Sequence, residues 1–108
     1  MAQNFRRYTS NAVGTGATTV HTANSYDCIV GISVANILGS TINVDIYIND
    51  GANDIYLVKT APIASGGALQ VLAGGAKFVM QNADAIKVKS DTASSADVYV
   101  SAVDDIST

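Results

Sequence analysis

Hydrophobic and polar residues alternate one by one through the middle of the chain. Residues 42–48, INVDIYI, carry isoleucine or valine at every second position, with Asn, Asp and Tyr between them. Side chains of an extended strand point to opposite faces in turn, so this pattern predicts a half-buried strand and not a helix. Residues 49–54, NDGAND, favour a turn, and a second β-rich run, Ile55–Val58, follows in a segment that ends at Pro62. The stretch predicts a β-hairpin whose apolar face needs further strands to cover it.

Further short β-rich runs flank this hairpin and are separated by turns rich in Gly, Asn, Asp and Ser. They are Thr18–Thr22, Asp27–Ala35, Leu69–Leu72, Lys77–Gln81, Ala85–Ser90 and Ala96–Asp104. About eight short strands at roughly ten-residue spacing, without a convincing helix, are typical of an antiparallel sandwich or barrel. We therefore predict an all-β fold with a single antiparallel β-sandwich of about eight short strands. The sequence leaves open whether its topology is jelly-roll-like or Greek-key.

The run Asp27–Ala35, DCIVGISVA, is almost continuously apolar, as expected for a strand in the centre of its sheet. Strict alternation would place Cys28, Val30, Ile32 and Val34 on one face. In this context Cys28 is predicted to be a small buried hydrophobe, because no neighbouring base or cation argues for a reactive thiolate.

Composition bounds the size and the class of the protein. The chain has 108 residues, which is enough for one domain, and a mild net charge of −3. Non-specific nucleic-acid binding requires clustered Lys and Arg, and only Arg6 and Arg7 adjoin, so we expect no nucleic-acid partner. A single cysteine excludes an internal disulfide, and no apolar run is long enough to span a membrane. No apolar signal region follows the basic residues, so synthesis in a reducing cytoplasm is expected.

The N-terminus is polar and aperiodic, except that two aromatic residues flank two arginines. We predict an extended N-terminal arm over residues 1–17 and a β-sandwich domain over residues 18–108 that is complete without it. Aromatic residues and arginine are enriched at interface hot spots. Phe5, Arg6, Arg7 and Tyr8 are therefore predicted to dock the arm on a neighbouring subunit, with a disordered tail as the alternative.

The chain offers little that predicts chemistry. His21 stands alone in its short strand and is interpreted as structural, and the Gly-rich segments lack the Lys-Ser/Thr of a phosphate-binding loop. Asp50, Asn53 and Asp54 at the hairpin tip offer oxygen ligands for calcium, but the same residue types are ordinary in turns, which is the interpretation we favour. We predict no enzyme activity, no catalytic residue, no cofactor and no metal.

Several segments, in this order, resemble a known family. They are TTVHT, ISVAN (Ile32–Asn36), NVDIYI, DIYLVKTAPIASGGAL (Asp54–Leu69) and AIKVKSDTASSADVYVSAVDDIST (Ala85–Thr108). This series resembles small virion structural proteins of tailed bacteriophages, especially those of marine contractile-tailed phages infecting cyanobacteria and other marine bacteria. The likeness runs from about Thr18 to the end and includes MAQNFRRYT at the start. The chain departs from the pattern at Ala64, where Pro is usual, and at Ala83, where Gly is usual.

The resemblance implies a non-enzymatic virion protein, made in the host cytoplasm and working as a homo-oligomer on other virion proteins. A capsid decoration or cement protein is the favoured role. A neck, tail or baseplate adaptor for fibre attachment is the alternative, and a host-glycan-binding module is less favoured because Trp is absent. Besides the arm residues, Tyr47, Tyr56 and Tyr99 are predicted to lie on outward strand faces and to contact partner subunits.

Overall fold

The structure, a computed structural model, describes residues 4–23, 26–71 and 77–104. These residues form nine strands and no helix, and none of them belongs to a helix long and apolar enough to cross a membrane. The strands are β1 (Asn4–Val13), β2 (Thr18–Thr22), β3 (Asp27–Asn36), β4 (Ile42–Asn49), β5 (Asp54–Ile63), β6 (Ala68–Gln70), β7 (Phe78–Met80), β8 (Ala85–Ser90) and β9 (Ala96–Asp104).

Two antiparallel sheets pack face to face. Sheet A has the strand order β1-β9-β3-β6, with β7 pairing further along the same edge of β3, and sheet B has the order β2-β8-β4-β5. Consecutive strands therefore pass repeatedly from one sheet to the other, as in a jelly roll, if β6 and β7 are counted as two halves of one edge strand. The predicted antiparallel β-sandwich is confirmed.

The structure differs from the sequence interpretation at the N-terminus. Residues 4–13 of the predicted arm form strand β1, which pairs with β9 from Asn4↔Asp104 to Val13↔Ala96. Alternation is hard to recognise in NFRRYTSNAV because Arg6 and Tyr8 occupy inward-facing positions beside Ala102 and Val100. Met1 to Gln3 lie outside the described residues.

The core consists of the inward-facing aliphatic residues of both sheets. Every second residue of β4, from Ile42 to Ile46, is fully buried, which confirms the alternation seen in the sequence. The facing side of β9 contributes Val98, Val100 and Ala102, with exposures of 2% or less. Burying apolar surface stabilises a fold by about 25 cal/mol per Å². This inter-sheet layer is therefore the main source of stability.

A β-bulge reverses the faces of the central strand. The register of β3 against β9 shifts between Ile29 and Gly31, so Val30 is an extra residue that the partner strand does not match. As a result Ile29 and Ile32 both point into the core, while Val30 is 37% exposed and Cys28 is only half-buried. The prediction that Cys28 and Val30 share a face with Ile32 is wrong, because strict alternation does not survive the inserted residue.

Candidate assembly surface

The outer face of sheet A is built by the residues that point away from the core on β1, β9 and β3. On β9 these are the odd-numbered residues from Asp97 to Val103, because the even-numbered ones are buried. The register places Phe5 opposite Val103, Arg7 opposite Ser101 and Thr9 opposite Tyr99, and directly opposed residues share a face.

Large apolar side chains are exposed on this outer face. Phe5 is 86% exposed, Val79 60%, Tyr99 48% and Val30 37%. We call this surface, defined by Phe5, Val30, Val79 and Tyr99, the aromatic face. Single exposed apolar residues are ordinary, but several on one sheet face indicate an interaction surface.

Two open grooves flank Tyr99 on the aromatic face. One, with a volume of about 350 Å³, is lined by residues that include Phe5, Arg7, Val30 and Ser101. The other, of about 310 Å³, runs over small side chains such as Ser33 and Ala35. The second groove also contains a carboxylate, because Asp97 lines it; we call it the Asp97 groove. Asp97 is held in place there, since Asn11 Nδ2 and the Ala12 amide each donate to its Oδ1 at 2.9 Å.

The outer face of sheet B has a different character, because charged residues alternate along β4 and β8. Register pairs Asp45 with Lys89 and Tyr47 with Lys87. Tyr56 lies beside Tyr47 with ring centroids 5.0 Å apart, and Lys59 Nζ sits 4.4 Å from the Tyr56 centroid. Charged side chains of both signs therefore lie beside the aromatic rings on this face.

Tyr47 has little exposed surface, and its contact with a partner subunit stays a prediction. Its side chain points to the outer face of sheet B but is only 7% exposed, because its neighbours cover the ring. Burial, followed by the nearby carboxylate of Asp54, raises the pKa of the Tyr47 phenol above its ordinary value. Tyr56 remains 43% exposed, so the two tyrosines predicted to act alike differ in accessibility.

Tyr8 also points inward, where it joins a buried polar cluster. Its ring stacks on the imidazole of His21 from β2, with centroids 3.6 Å apart and an interplanar angle of 16°. His21 Nε2 donates to Asp27 Oδ2 at 2.7 Å, and the two side chains are 8% and 0% exposed. Asp27 Oδ1 is buried and has no hydrogen-bond partner among the described residues. The interpretation of His21 as structural fits this position, and the cluster, which we call the His–Asp latch, joins β1, β2 and β3.

Sequence reasoning did not anticipate the His–Asp latch. His21 and Asp27 are on strands of different sheets, and their contact depends on how the sheets are stacked. The sequence offered two signals: His21 stands in a short β-branched strand, and Asp27 begins the apolar strand that follows it.

The hairpin tip between β4 and β5 has the geometry of a turn. Asp50 Oδ1 accepts hydrogen bonds from the Asn53 and Ala52 amides at 2.8 and 3.0 Å, and Gly51 has a φ of 96°. The same amides, that of Asn53 first, lower the pKa of the Asp50 carboxyl. Among the described residues no group of three or more His, Cys or acidic residues is arranged to hold a metal ion. The tip carboxylate is therefore engaged by the backbone of its own turn.

The predicted contact residues thus separate into four places. Phe5, Arg7 and Tyr99 come together on the outer face of sheet A. Arg6 lies at an exposed end of β1 on the inward-facing side, and it also lines the groove that contains Phe5 and Val30. Tyr8 belongs to the His–Asp latch, and Tyr47 and Tyr56 lie on the opposite sheet. Val30 and Val79 were not predicted as contact residues; the bulge exposes the first, and pairing with Cys28 places the second on the same face.

No family model and no curated protein matches the chain. Among solved structures, the chain is similar to a protein of the Bacillus endospore appendages, which are described as a novel family of disulfide-linked pili. The two share 12% sequence identity at a TM-score of 0.53, over 94% of this chain and 84% of the other. At this identity the likeness shows a common fold. None of these comparisons links the chain to tailed bacteriophages, so that resemblance stays a prediction.

Proposed function

We propose that the chain is a non-enzymatic structural protein that works as one of many copies in a larger assembly. The observation that carries this proposal is the aromatic face, on which Phe5 is 86% exposed next to Tyr99. Leaving a phenylalanine in water forgoes about 1.5–3 kcal/mol of burial energy, which a partner recovers on binding. The Asp97 groove on the same face supplies small residues against which a partner side chain packs.

The fold neighbour supports the same class of function. The Bacillus protein is a subunit of a pilus, and this chain matches 94% of its length to that fold. A rigid sandwich is suited to such a role, because repetition of one modest contact in a symmetric assembly multiplies its strength.

Within this class we favour a virion protein of a tailed bacteriophage, most specifically a capsid decoration protein. The sequence segments from NVDIYI to the DTASSADVYVSAVDDIST ending support this assignment. A second candidate is an extracellular appendage subunit, which is favoured by the fold neighbour. An adaptor in the neck, tail or baseplate is the other virion position that the resemblance allows.

Quantitative mass spectrometry of particles purified from the source culture tests the proposal. A decoration protein is expected to co-purify with a major capsid protein at a fixed ratio and in hundreds of copies. A copy number near that of neck or tail proteins would move the assignment to an adaptor, and recovery in filaments without capsid protein would favour the appendage subunit. If the protein is found in no particle or filament, the structural role is wrong. A glycan array with the isolated domain tests the carbohydrate-binding alternative, which specific binding would support.

A further inference from the structure

We propose that the aromatic face binds a second copy of this chain across a two-fold axis, with the Phe5 of each copy inserted into the Asp97 groove of the other. This inference deepens the proposed structural role, because it names the contact and the partner. It depends on three features of the same sheet face: a projecting aromatic side chain, a groove and two opposite charges.

The projecting side chain and the groove lie at opposite ends of one face. Phe5 is level with Val103 on β9, whereas the groove lies around Asp97, six residues away along the same strand. At about 3.3 Å per residue, the separation is roughly 20 Å. Phe5 therefore cannot reach the groove of its own chain, and its side chain is left 86% exposed.

A two-fold axis brings each Phe5 to the groove of the partner. If the axis lies in the interface, perpendicular to the strands and midway between the two positions, it crosses β9 at the level of Val100. Rotation about this axis places the Phe5 level of one copy over the Asp97 level of the other. The same operation places Tyr99 of one copy over Ser101 of its partner, so a large side chain meets a small one. Such a self-complementary contact closes as a dimer.

The charges on the face are complementary under the same rotation. Arg7 is exposed and lies two residues from Phe5, on the same side of β1. In the dimer Arg7 is carried over the partner's Thr9, the residue that pairs with Tyr99. From there its guanidinium reaches the partner's Asp97 carboxylate, one pair further along. A charge-assisted pair between an arginine and a carboxylate is a favourable interface arrangement. A two-fold axis parallel to the strands would instead keep Arg7 at the level of the partner's Ser101, away from the acid.

Three other surfaces fit a second copy less well. The outer face of sheet B carries Lys87 and Lys89 on β8, and one of its two tyrosines, Tyr47, is already covered. The β5 edge is interrupted by Thr60, which has a φ of 53°, and by Pro62, which has no amide hydrogen to donate. In sheet A, the edge beyond β3 consists of the three-residue strands β6 and β7, which are short for pairing with another chain.

Sedimentation equilibrium of the purified full chain tests the contact. We expect a monomer–dimer equilibrium that Phe5→Ala weakens by about 30-fold or more, as for an aromatic hot spot. Tyr56→Ala is the matched control, because it removes an exposed aromatic side chain from the opposite sheet, and it should leave the dissociation constant within about twofold. Circular dichroism and thermal unfolding establish that both variants are folded.

A double-mutant cycle tests the charge pairing. Arg7→Ala and Asp97→Asn are each expected to weaken the dimer, and the double variant should be weaker by less than the product of the two effects, because the residues act on each other. The asparagine keeps an oxygen that accepts from the Ala12 amide, so the groove retains its shape.

Cross-linking tests the symmetry. In a Cys28→Ser background, Ser101→Cys places a thiol near the proposed axis, and a short bifunctional maleimide should link two copies. Lys89→Cys on the opposite sheet should give no linked dimer. A monomeric wild-type chain, a dimer insensitive to Phe5→Ala, or a dimer linked through position 89 and not 101 would each overturn the proposal. These results concern the purified chain alone, so they are distinguishable from failure of the structural role, which is decided by particle composition.

Discussion

Replacing His21 with phenylalanine would test how much the His–Asp latch contributes to the fold. The phenyl ring keeps the stack on Tyr8, which has a centroid distance of 3.6 Å, but has no nitrogen to meet Asp27 Oδ2 at 2.7 Å. Asp27 is 0% exposed, and its Oδ1 already lacks a partner. Removing one member of a buried charged or hydrogen-bonded pair costs about 3–5 kcal/mol, most of it from the group left behind. This is a large share of the roughly 5–15 kcal/mol that stabilises a typical domain.

Urea unfolding followed by circular dichroism measures this loss. We expect His21→Phe to lower the free energy of unfolding by about 3 kcal/mol or more, with a melting temperature at least about 12 °C lower. Thr22→Ala, an exposed change on the same strand, should stay within about 0.5 kcal/mol of wild type.

A second substitution separates the buried carboxylate from the lost hydrogen bond. In His21→Phe/Asp27→Val the carboxylate is absent, so the double variant should recover much of the stability, since apolar replacement of a whole buried pair is often neutral. If His21→Phe unfolds within about 1 kcal/mol of wild type, the carboxylate is adequately satisfied without the imidazole, and the reasoning about the His–Asp latch is wrong.

Three further predictions follow from the core, the turns and strand β1. Ile46→Ala removes a fully buried side chain and should cost about 2–5 kcal/mol in urea unfolding; a loss below 1 kcal/mol would contradict the placement of β4. The pKa values of Asp50 and Asp91 are lowered by backbone amides, that of Asn53 for Asp50 and that of Asn43 for Asp91. Each carboxylate therefore contributes stability that is present above its unfolded pKa and lost as pH falls through the lower folded value. In Asp50→Asn the free energy of unfolding should fall less steeply as the pH is lowered. An unchanged pH dependence would argue against the turn hydrogen bonds. Deletion of residues 1–11 should abolish cooperative unfolding because it uncovers β9 and removes Tyr8 from the His–Asp latch; a truncated chain that unfolds like the full one would show that the sandwich is complete without β1.

The sequence predicted the strands best where alternation is regular and one face is buried. β8 and β9 begin and end where the pattern predicted, and the predicted β-hairpin corresponds to β4 and β5. Local spacing determines these features, because the period of a strand depends only on its own residues. The turn chemistry of Asp50 was predictable for the same reason.

The features that define the candidate surface depend on longer-range geometry. Val30 is exposed because of a bulge, and Tyr47 is covered because Tyr56 and Lys87 flank it on neighbouring strands. Strand β1 was interpreted as an arm because Arg6 at an inward position and Phe5 at an outward one disguise its alternation. Sequence composition identified Phe5, Arg7 and Tyr99 as contact residues separately, but only the register of β1 against β9 shows that they share one face.

In the proposed role, this chain is a structural subunit whose contacts are made through the aromatic face. A cryo-EM map of the particle or filament that contains the protein tests it most directly. We predict that Phe5 and Tyr99 are buried between subunits, with Phe5 in the Asp97 groove of a neighbouring copy. A map in which the outer face of sheet A is open to solvent, or in which the protein is absent from any assembly, would contradict the account.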